Sequence, residues 1–556
     1  MKHRLIILWF VVLWVGLSSL AFSQGQINVQ NGNINHYYED FAVPGHGFEL
    51  ALERSYNSLS TYSGMFGAKW GSNFDIDFNV TPEGTVEVTE YGGGFKTTFS
   101  PKGFNQSSIK DFVKKLETKI PDSSKSSSLE ASLLKDAKLR HKLAREHKLS
   151  TDIPLGTTLQ ANDRGPETLE KTQKKGFDGW IWVRTFSDGR KEFFNTSGKL
   201  LRREDTNNNF LKLSYNSDGY LSTITDATGR QISFEYYPDK KIKNITSPLG
   251  KKCQYKFNLT GDLIYAKNDR GYEFNYIYDQ RHRMTEVKYS KGAAKETMDY
   301  DDLNRIVLHS GPEDIITKYK YDTKGDPDKY FNVVVSKEIG KKPNQVITVD
   351  KYDYEFGRRD NGTRYTYKLA TVLDGIKTET IYTPCCGKPV SINRQGQITR
   401  FDYWPSGSLK KKVFPTGESV ALEYDEKFGK VSKVLQEDPK LKLSDLTLYQ
   451  YDAKGNLAYA KNEKKKIYVR LIYDTKGRIH QLIDQSGKKI NFEYNELGKP
   501  TKIALDGVGS ISVSYSAGGE ITNVKSTGGR KIAAEVTTTF QTLLDVIRPA
   551  GVSLNI

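Results

Sequence analysis

Tyr473-Asp-Thr-Lys-Gly-Arg-Ile479 is the stretch that decides the fold, because its pattern returns along the chain. The pattern is an aromatic residue, Asp or Asn, two free positions, Gly, one free position and an aliphatic residue. Its signature residues are Tyr215, Gly219, Phe257, Gly261, Tyr321, Asp322, Gly325, Tyr451, Asp452, Gly455, Tyr473, Asp474, Gly477, Tyr494 and Gly498. The lead aromatic stands at positions 194, 215, 236, 257, 278, 300 and 321, so the period is 21 or 22 residues. A fixed period of this size indicates a repeat architecture.

Each repeat unit reads as two short strands joined by turns. Asp474 to Gly477 predicts one turn and Asp484 to Gly487 a second, since Asp opens such turns and Gly accepts the positive φ that closes them. Apolar and polar residues alternate in Ile490-Asn-Phe-Glu-Tyr494, which is typical of a strand with one buried face. A hairpin this small cannot bury its own apolar face, so neighbouring hairpins must stack. We therefore predict a mainly β fold, a ribbon of antiparallel hairpins in which the signature residues are structural.

The period is interrupted twice. Residues 326–362 stand between the lead aromatics at 321 and 382, and we interpret them as a longer or irregular unit. The step from 424 to 451 is also longer than the others.

The Tyr-Asp-x-x-Gly-Arg-Ile motif at this spacing resembles the YD repeat of bacterial rearrangement-hotspot (Rhs) proteins, insecticidal toxin-complex subunits and animal teneurins. The resemblance covers residues 180–522. It implies a β-ribbon wound into a hollow shell or spiral, which often encloses a C-terminal toxin or processed peptide. The signature near the cleavage point of toxin-bearing members is not recognisable here, nor is a toxin domain. The resemblance therefore does not extend to self-cleavage or to a covalently linked effector.

The region before the repeats also resembles Rhs proteins. Pro44-Gly-His-Gly-Phe-Glu-Leu50, Arg54-Ser-Tyr-Asn-Ser58 and Phe66-Gly-Ala-Lys-Trp-Gly71 are similar to the segment that precedes repeats in many members. We predict a β-rich N-terminal segment over residues 24–104, which would form an entry to the shell or a plug in it.

Helical patterns flank the repeats. The Lys- and Ser-rich residues 105–175 contain Ile109, Phe112 and Leu116 at helical spacing, which predicts an insertion with a pair of amphipathic helices. His141 and His147 lie in this insertion without a metal-binding spacing, and we expect them on a solvated helix face. The YD-repeat region then runs over residues 176–522, followed by a tail over 523–556. Apolar residues in that tail predict a short helix: Ile532, Val536, Phe540, Leu543 and Ile547.

The first 23 residues have the features of a signal peptide. Lys2 and Arg4 precede the apolar run Leu5–Leu20, and small residues follow up to Ser23, where we place the cut. An uncleaved signal anchor is the alternative interpretation. We expect an exported protein, located in the periplasm, at the cell surface or outside the cell, with no membrane contact after cleavage.

The chain is basic, with a formal net charge of +16. Its lysines are spread along the whole length, which argues against a nucleic-acid-binding tail. We expect no nucleic-acid partner. A basic exterior could instead attract anionic envelope polysaccharide, an effect that salt would screen.

Three cysteines do not make a disulfide framework in an exported protein of this size. Cys385 and Cys386 are adjacent, and an oxidising compartment would favour a disulfide between them. The ring would be strained, because neighbouring α-carbons are closer than disulfides ordinarily require. Free thiols, or a crosslink to the distant Cys253, are the alternatives.

No motif points to catalysis, so we predict no catalytic, cofactor-binding or metal-binding residues, no cofactor and no enzyme activity. Nucleophile elbows, zinc-protease helices, phosphate loops and dinucleotide fingerprints are not recognisable. The sequence favours an exported structural shell, scaffold or carrier. A cell-surface glycan-binding or adhesion module is one alternative. Another is a remnant or component of a polymorphic toxin system, with an effector partner encoded separately.

Overall fold

The computed structural model describes residues 25–121, 127–161, 166–172, 179–290, 295–311, 315–322, 325–340, 345–359, 363–384 and 387–547. The predicted signal peptide and the pair Cys385 and Cys386 lie outside these ranges. Within them the chain is almost entirely strand and turn, with helices only in the insertion and the tail. The predicted mainly β fold class is confirmed.

The strands fall into an N-terminal group and one long ribbon. The N-terminal strands are β1 (Gln26–Asn28), β2 (Asn33–Val43), β3 (Leu50–Asn57), β4 (Ser63–Gly64), β5 (Gly67–Ala68) and β6 (Trp70–Ser72). The ribbon starts with β7 (Ile76–Val80), β8 (Val86–Glu90), β9 (Phe95–Pro101), β10 (Thr158–Ala161), β11 (Thr168–Lys171), β12 (Trp182–Thr185) and β13 (Lys191–Phe194). It continues with β14 (Leu200–Glu204), β15 (Phe210–Tyr215), β16 (Leu221–Asp226), β17 (Gln231–Tyr236), β18 (Ile242–Thr246), β19 (Lys252–Phe257), β20 (Leu263–Lys267), β21 (Glu273–Tyr278), β22 (Met284–Tyr289), β23 (Glu296–Tyr300) and β24 (Ile306–Ser310).

The middle and the end of the ribbon complete the sheet. The middle strands are β25 (Ile315–Asp322), β26 (Tyr330–Ile339), β27 (Val346–Arg358), β28 (Arg364–Leu373), β29 (Ile376–Tyr382), β30 (Pro389–Arg394), β31 (Gln397–Tyr403), β32 (Leu409–Val413) and β33 (Ser419–Tyr424). The last strands are β34 (Val431–Asp438), β35 (Leu443–Tyr451), β36 (Leu457–Asn462), β37 (Ile467–Tyr473), β38 (Ile479–Asp484), β39 (Lys489–Tyr494), β40 (Pro500–Leu505), β41 (Gly509–Tyr515) and β42 (Ile521–Ser526).

Strands β7 to β42 form a single antiparallel sheet in which every strand pairs with the one before it in the chain. Among the described residues no hydrogen-bonded pairing joins β42 to β7, so the sheet is an open ribbon and not a closed barrel. In most units a β-bulge falls just before the lead aromatic, for example between Ile472 and Tyr473. A bulge strengthens the local twist of a strand pair, and its repetition gives the ribbon a continuous coil.

The ribbon buries the same face near its two ends. Residues directly opposite each other across an antiparallel ladder lie on one face, and the register links Ile224 to Ile232 near the start and Leu482 to Ile490 near the end. The N-terminal sheet β1-β2-β3-β6 covers this face around β15 to β24. The tail helix covers it around β35 to β41.

Three helices form the insertion between β9 and β10: α1 (Gln106–Glu117), α2 (Ser127–Lys135) and α3 (Ala137–Glu146). The prediction of two helices was wrong because Asp136 caps a third, accepting hydrogen bonds from the amides of Lys138 and Leu139. Strands β10 and β11, which come from the same segment of the sequence, belong to the ribbon. The expectation for His141 was also wrong: it is buried, with Nε2 2.9 Å from Glu83 Oε1. His147 is partly exposed.

The tail forms helix α4 (Gly529–Ile547), which at 19 residues is longer than the short helix predicted. Ile532 and Val536 are buried against the ribbon, and the Tyr449 hydroxyl donates to the carbonyl of Val546 at 2.9 Å. Packing of this apolar face outweighs the weak helix propensity of Thr537–Thr539. The side chains of Leu543 and Ile547 lie outside the described part of the chain.

The interruption after Tyr321 is a stretch of longer strands, as predicted. Strand β27 has 13 residues and its neighbours β26 and β28 have ten each. Strands β28 to β31 hold no buried residue. Strands β28 to β31 are therefore open, whereas both ends of the ribbon are covered.

Candidate functional site

The lead tyrosine of each unit bonds to the unit before it. The Tyr473 hydroxyl donates to the Leu457 carbonyl at 2.8 Å, and the Tyr494 hydroxyl donates to the Ile479 carbonyl at 2.7 Å. The same bond recurs from Tyr215, Tyr236, Tyr278, Tyr300, Tyr321, Tyr403, Tyr424, Tyr451 and Tyr515 to carbonyls 14 to 20 residues earlier. Burial raises the pKa of Tyr451 to about 12, so its hydroxyl stays protonated and donates.

The aspartate of the motif holds the turn that follows. Asp474 Oδ1 accepts from the amides of Lys476 and Arg478, and Oδ2 accepts from Arg478 Nε at 2.6 Å. Burial opposes the ionisation of Asp474, but these hydrogen bonds and the Arg478 charge lower its pKa overall. Gly477 closes the turn with a φ of 81°, in the region that suits glycine.

The basic residue of the motif, which follows the glycine, then links one unit to the next. The Arg478 guanidinium lies 4.7 Å from the ring centroid of Tyr494, a cation-π distance. Lys430 reaches the carbonyl of Gly455 at 2.7 Å in the equivalent place. The tyrosine and the basic residue thus tie a hairpin to its neighbours, and the aspartate holds the turn within its own unit.

The structure places the signature residues at these junctions with two kinds of exception. Phe257 has the ring position without the hydroxyl. Asp322 is the last residue of the long strand β25 and is paired with Asn332 in the ladder. Gly325 has a φ of 80°. The other signature glycines are Gly219, Gly261, Gly455 and Gly498, all with positive φ.

Turns far apart in sequence meet across the molecule. Asn207 Nδ2 donates to Asn456 Oδ1 at 3.0 Å, and Asn456 Nδ2 returns a bond to Asn207 Oδ1 at 3.1 Å. Asn209 Nδ2 donates to the Lys476 carbonyl at 3.1 Å. Strands β15 to β35 lie between the turn that holds Asn207 and the turn that holds Asn456. Successive turns of an antiparallel ribbon alternate between its two rims. Because the number of intervening strands is odd, these two turns lie on opposite rims. Contact between opposite rims shows that the ribbon is wound as a spiral, with one turn stacked on the next.

The Pro44-Gly-His-Gly47 loop is inserted in this contact, which we call the seam (residues 44–47, 205–209, 226–230, 452–456 and 474–478). Arg230 from the early turn donates to the Pro44 carbonyl at 2.8 Å, and Arg478 from the late turn donates to His46 Nδ1 at 3.3 Å. Burial, and then the charges of Arg478 and Lys476, lower the pKa of His46, which favours the neutral ring that accepts this bond. A Cβ on Gly47 would lie 2.3 Å from Asp205 Oδ2, so the close approach requires glycine. The loop joins the two turns of the spiral.

The N-terminal sheet is anchored on the ribbon by a buried arginine. Arg54 is 0 % exposed and binds Asp40 through two bonds, Nε to Oδ2 at 2.6 Å and Nη2 to Oδ1 at 2.9 Å. From the ribbon, the Tyr255 hydroxyl donates to Asp40 Oδ2 at 2.6 Å, and Arg54 Nη1 lies 3.4 Å from the Tyr276 hydroxyl. The guanidinium also lies 5.3 Å from the ring of Trp70. Burial opposes the charge of Arg54, yet the Asp40 carboxylate outweighs it and holds the Arg54 pKa well above its ordinary value.

A second polar anchor surrounds Glu296 of β23. His309 Nε2 lies 2.6 Å from Oε1, the Tyr289 hydroxyl donates to Oε2 at 2.8 Å, and the amide of Gly25 donates to Oε1 at 3.1 Å. His36 Nε2 of the N-terminal sheet lies 3.8 Å away. Burial raises the pKa of Glu296, but His36 and His309 outweigh it and lower the pKa to about 2.

The described residues contain no group of three or more His, Cys, Asp or Glu side chains that could hold a metal ion. Cys253 is a free thiol, fully buried in the main core. None of the helices in the described ranges is both long and apolar enough to cross a membrane.

Sequence reasoning did not find the seam or the two buried anchors, because no local pattern marks residues that meet only after winding.

Two family models match parts of the chain. A domain of unknown function, DUF6531, matches residues 24–94, and the teneurin YD-shell model matches residues 423–553. Among curated proteins, the tRNA3(Ser)-specific nuclease WapA of Bacillus spizizenii is 33% identical over 73 residues, which is 13% of this chain and 3% of the nuclease. The prediction of a YD-repeat protein related to Rhs proteins and teneurin shells is confirmed.

Similar solved structures are toxin complexes. The crystal structure of TcdB2-TccC3-Cdc42 aligns with a TM-score of 0.42 and 10% identity over 66% of this chain and 23% of the other. The Photorhabdus luminescens Tc holotoxin pore with a TccC3 mutation aligns with a TM-score of 0.41 and 11% identity, over 76% and 27%. The chain thus spans about a quarter of the length of these structures and far less of the nuclease. The match to the teneurin YD-shell model over residues 423–553 supports a shell-like YD-repeat architecture.

Proposed function

We propose that this YD-repeat protein is an exported, non-enzymatic shell or carrier that holds a separately encoded partner against the open part of its wall. The spiral winding at the seam carries this proposal, because it curves one long sheet around a common interior face. The N-terminal sheet and α4 both pack on that face. The signal-peptide pattern of residues 1–23 supports export.

The open part of the wall is the proposed contact for the partner. The register places Tyr352, Thr371, Thr378 and Arg394 opposite one another on the interior face of β27 to β30. Three of these side chains are polar and the fourth is a tyrosine. All four are exposed or partly exposed. A surface of this kind suits a partner that binds reversibly, since it does not need covering for the shell to be stable.

Electron microscopy of the purified mature chain tests the shell. We expect compact particles of uniform size with a curved wall around an opening. Extended or variably curled ribbons would contradict the proposal, because a wall that does not hold its own curvature cannot enclose a partner.

Co-purification with the products of the genes that flank this one tests the carrier role. Thr378→Glu places a charge on the interior face and should reduce co-elution, whereas Lys377→Glu on the opposite face of β29 should not. Equal loss in both variants, or co-elution that neither variant changes, argues against contact at this face.

A further inference from the structure

Two cavities adjoin where the helical insertion meets the first strands of the ribbon. One of about 710 Å³ lies beside the turn after β7 and residues 148–153, and the other of about 620 Å³ lies below α3. Arg145 lines both, and we call the two cavities together the insertion groove. The second cavity reaches Arg358 and Arg364, where β27 and β28 meet. The groove thus joins the start of the ribbon to its middle.

The lining of the groove is strongly basic. It holds eight lysine and arginine side chains and four carboxylates, a formal net charge of +4. The basic residues are Lys96, Lys135, Lys138, Arg145, Lys148, Lys171, Arg358 and Arg364. Within the described residues Lys135, Lys138 and Lys148 have no carboxylate partner, and Arg145 donates to the neutral amide of Asn79 at 3.2 Å. Cations on concave walls reinforce one another's field.

The groove is held in shape by a buried salt bridge below it. Glu83, at the turn after β7, accepts from Arg140 Nε at 2.7 Å and from Nη2 at 3.1 Å, and contacts His141 at 2.9 Å. Arg140 and His141 are both buried. Because this bridge fixes α3 against the strands, the cations on the exposed side of the helix are already in position for a ligand.

We propose that the insertion groove binds an anionic polysaccharide, a chain of sugars bearing repeated carboxylate or phosphate groups. An extended polymer fits two cavities that share one arginine better than a single small anion does. Hydroxyl groups of Ser150, Thr151 and Thr196 line the first cavity and suit the hydroxyls of a sugar. Nucleic acid fits less well, since single strands bind by stacking bases on exposed aromatic rings. Trp182, the tryptophan of the lining, is only 3 % exposed.

The test is a titration of the full mature chain with polygalacturonate at low ionic strength. Arg145→Ala with Lys148→Ala removes two cations of the groove and should weaken binding about tenfold, the sum of two exposed charge contacts. Lys288→Ala with Lys295→Ala removes the same charge from Lys288 of β22 and from Lys295 just before β23, and should leave the affinity unchanged. All four side chains are exposed, and a thermal unfolding scan checks that both variants fold.

Four further measurements complete the test, the last with a single-stranded oligonucleotide. Neutral dextran should not bind, and raising the salt concentration should weaken polygalacturonate binding. Polygalacturonate is also compared with a wall polymer bearing phosphate groups, which distinguishes the two sources of anionic charge. No binding of either polymer at low salt, or equal losses in the two double variants, would overturn the groove as the site. Tighter binding of a single-stranded oligonucleotide would overturn the choice of polysaccharide.

Discussion

Replacement of Arg54 by methionine tests whether the buried anchor holds the N-terminal sheet on the ribbon. Methionine keeps much of the apolar volume but leaves the Asp40 carboxylate buried without its charged partner. Breaking a buried ion pair in this way costs about 3–5 kcal/mol of unfolding free energy. Asp40 is fully buried, and the Tyr255 hydroxyl remains as a hydrogen-bond donor to its carboxylate but does not neutralise the charge. We therefore expect the loss of unfolding free energy in Arg54→Met to be among the largest that single substitutions cause.

Urea denaturation followed by far-ultraviolet circular dichroism measures the loss. Arg54→Met combined with Asp40→Asn should recover most of it, because the neutral amide still accepts the Tyr255 hydroxyl and no buried charge is left. Arg190→Met is the matched control: its ion pair with Asp188 at 2.6 Å is 54% and 40% exposed, and such pairs contribute less than about 1 kcal/mol. A loss for Arg54→Met no larger than that of the control, or no recovery in the double variant, would refute the reasoning.

Three further outcomes are expected, each from a contact described above. Tyr473→Phe removes the hydroxyl bonded to the Leu457 carbonyl and should cost about 1 kcal/mol in urea denaturation, with no loss if that bond is unimportant. Asn207→Ala and Asn456→Ala should each cost about 1 kcal/mol and the double variant less than their sum, whereas additive losses would mean that the turns are not in contact. The pKa of Glu296 is lowered from 4.5 to about 2, so its contribution is complete above pH 4.5 and is lost as the pH falls towards 2. Glu296→Gln should therefore flatten the acid limb of the stability profile, and an unchanged limb would contradict that assignment.

The repeat unit was predictable from the sequence, but the winding was not. The period and the alternation around Ile490 and Phe492 predict hairpins, because both signals arise from neighbours in the chain. The contact between Asn207 and Asn456 depends on the twist summed over all strands between them, and no local pattern records that sum. His141 shows the same limit, since Glu83, which buries it, is 58 residues away.

The spiral has a consequence for how the length of this chain can change. The turns of Asn207 and Asn456 meet only because β15 to β35 make one circuit. Removal of a single hairpin from that circuit would bring Asn207 to the turn of Asp474 and leave the Pro44–Gly47 loop facing the wrong neighbour. Within the circuit, the number of hairpins is therefore set by the fit between successive coils. The contacts of the loop at residues 44–47 thus fit only one number of strands in the circuit.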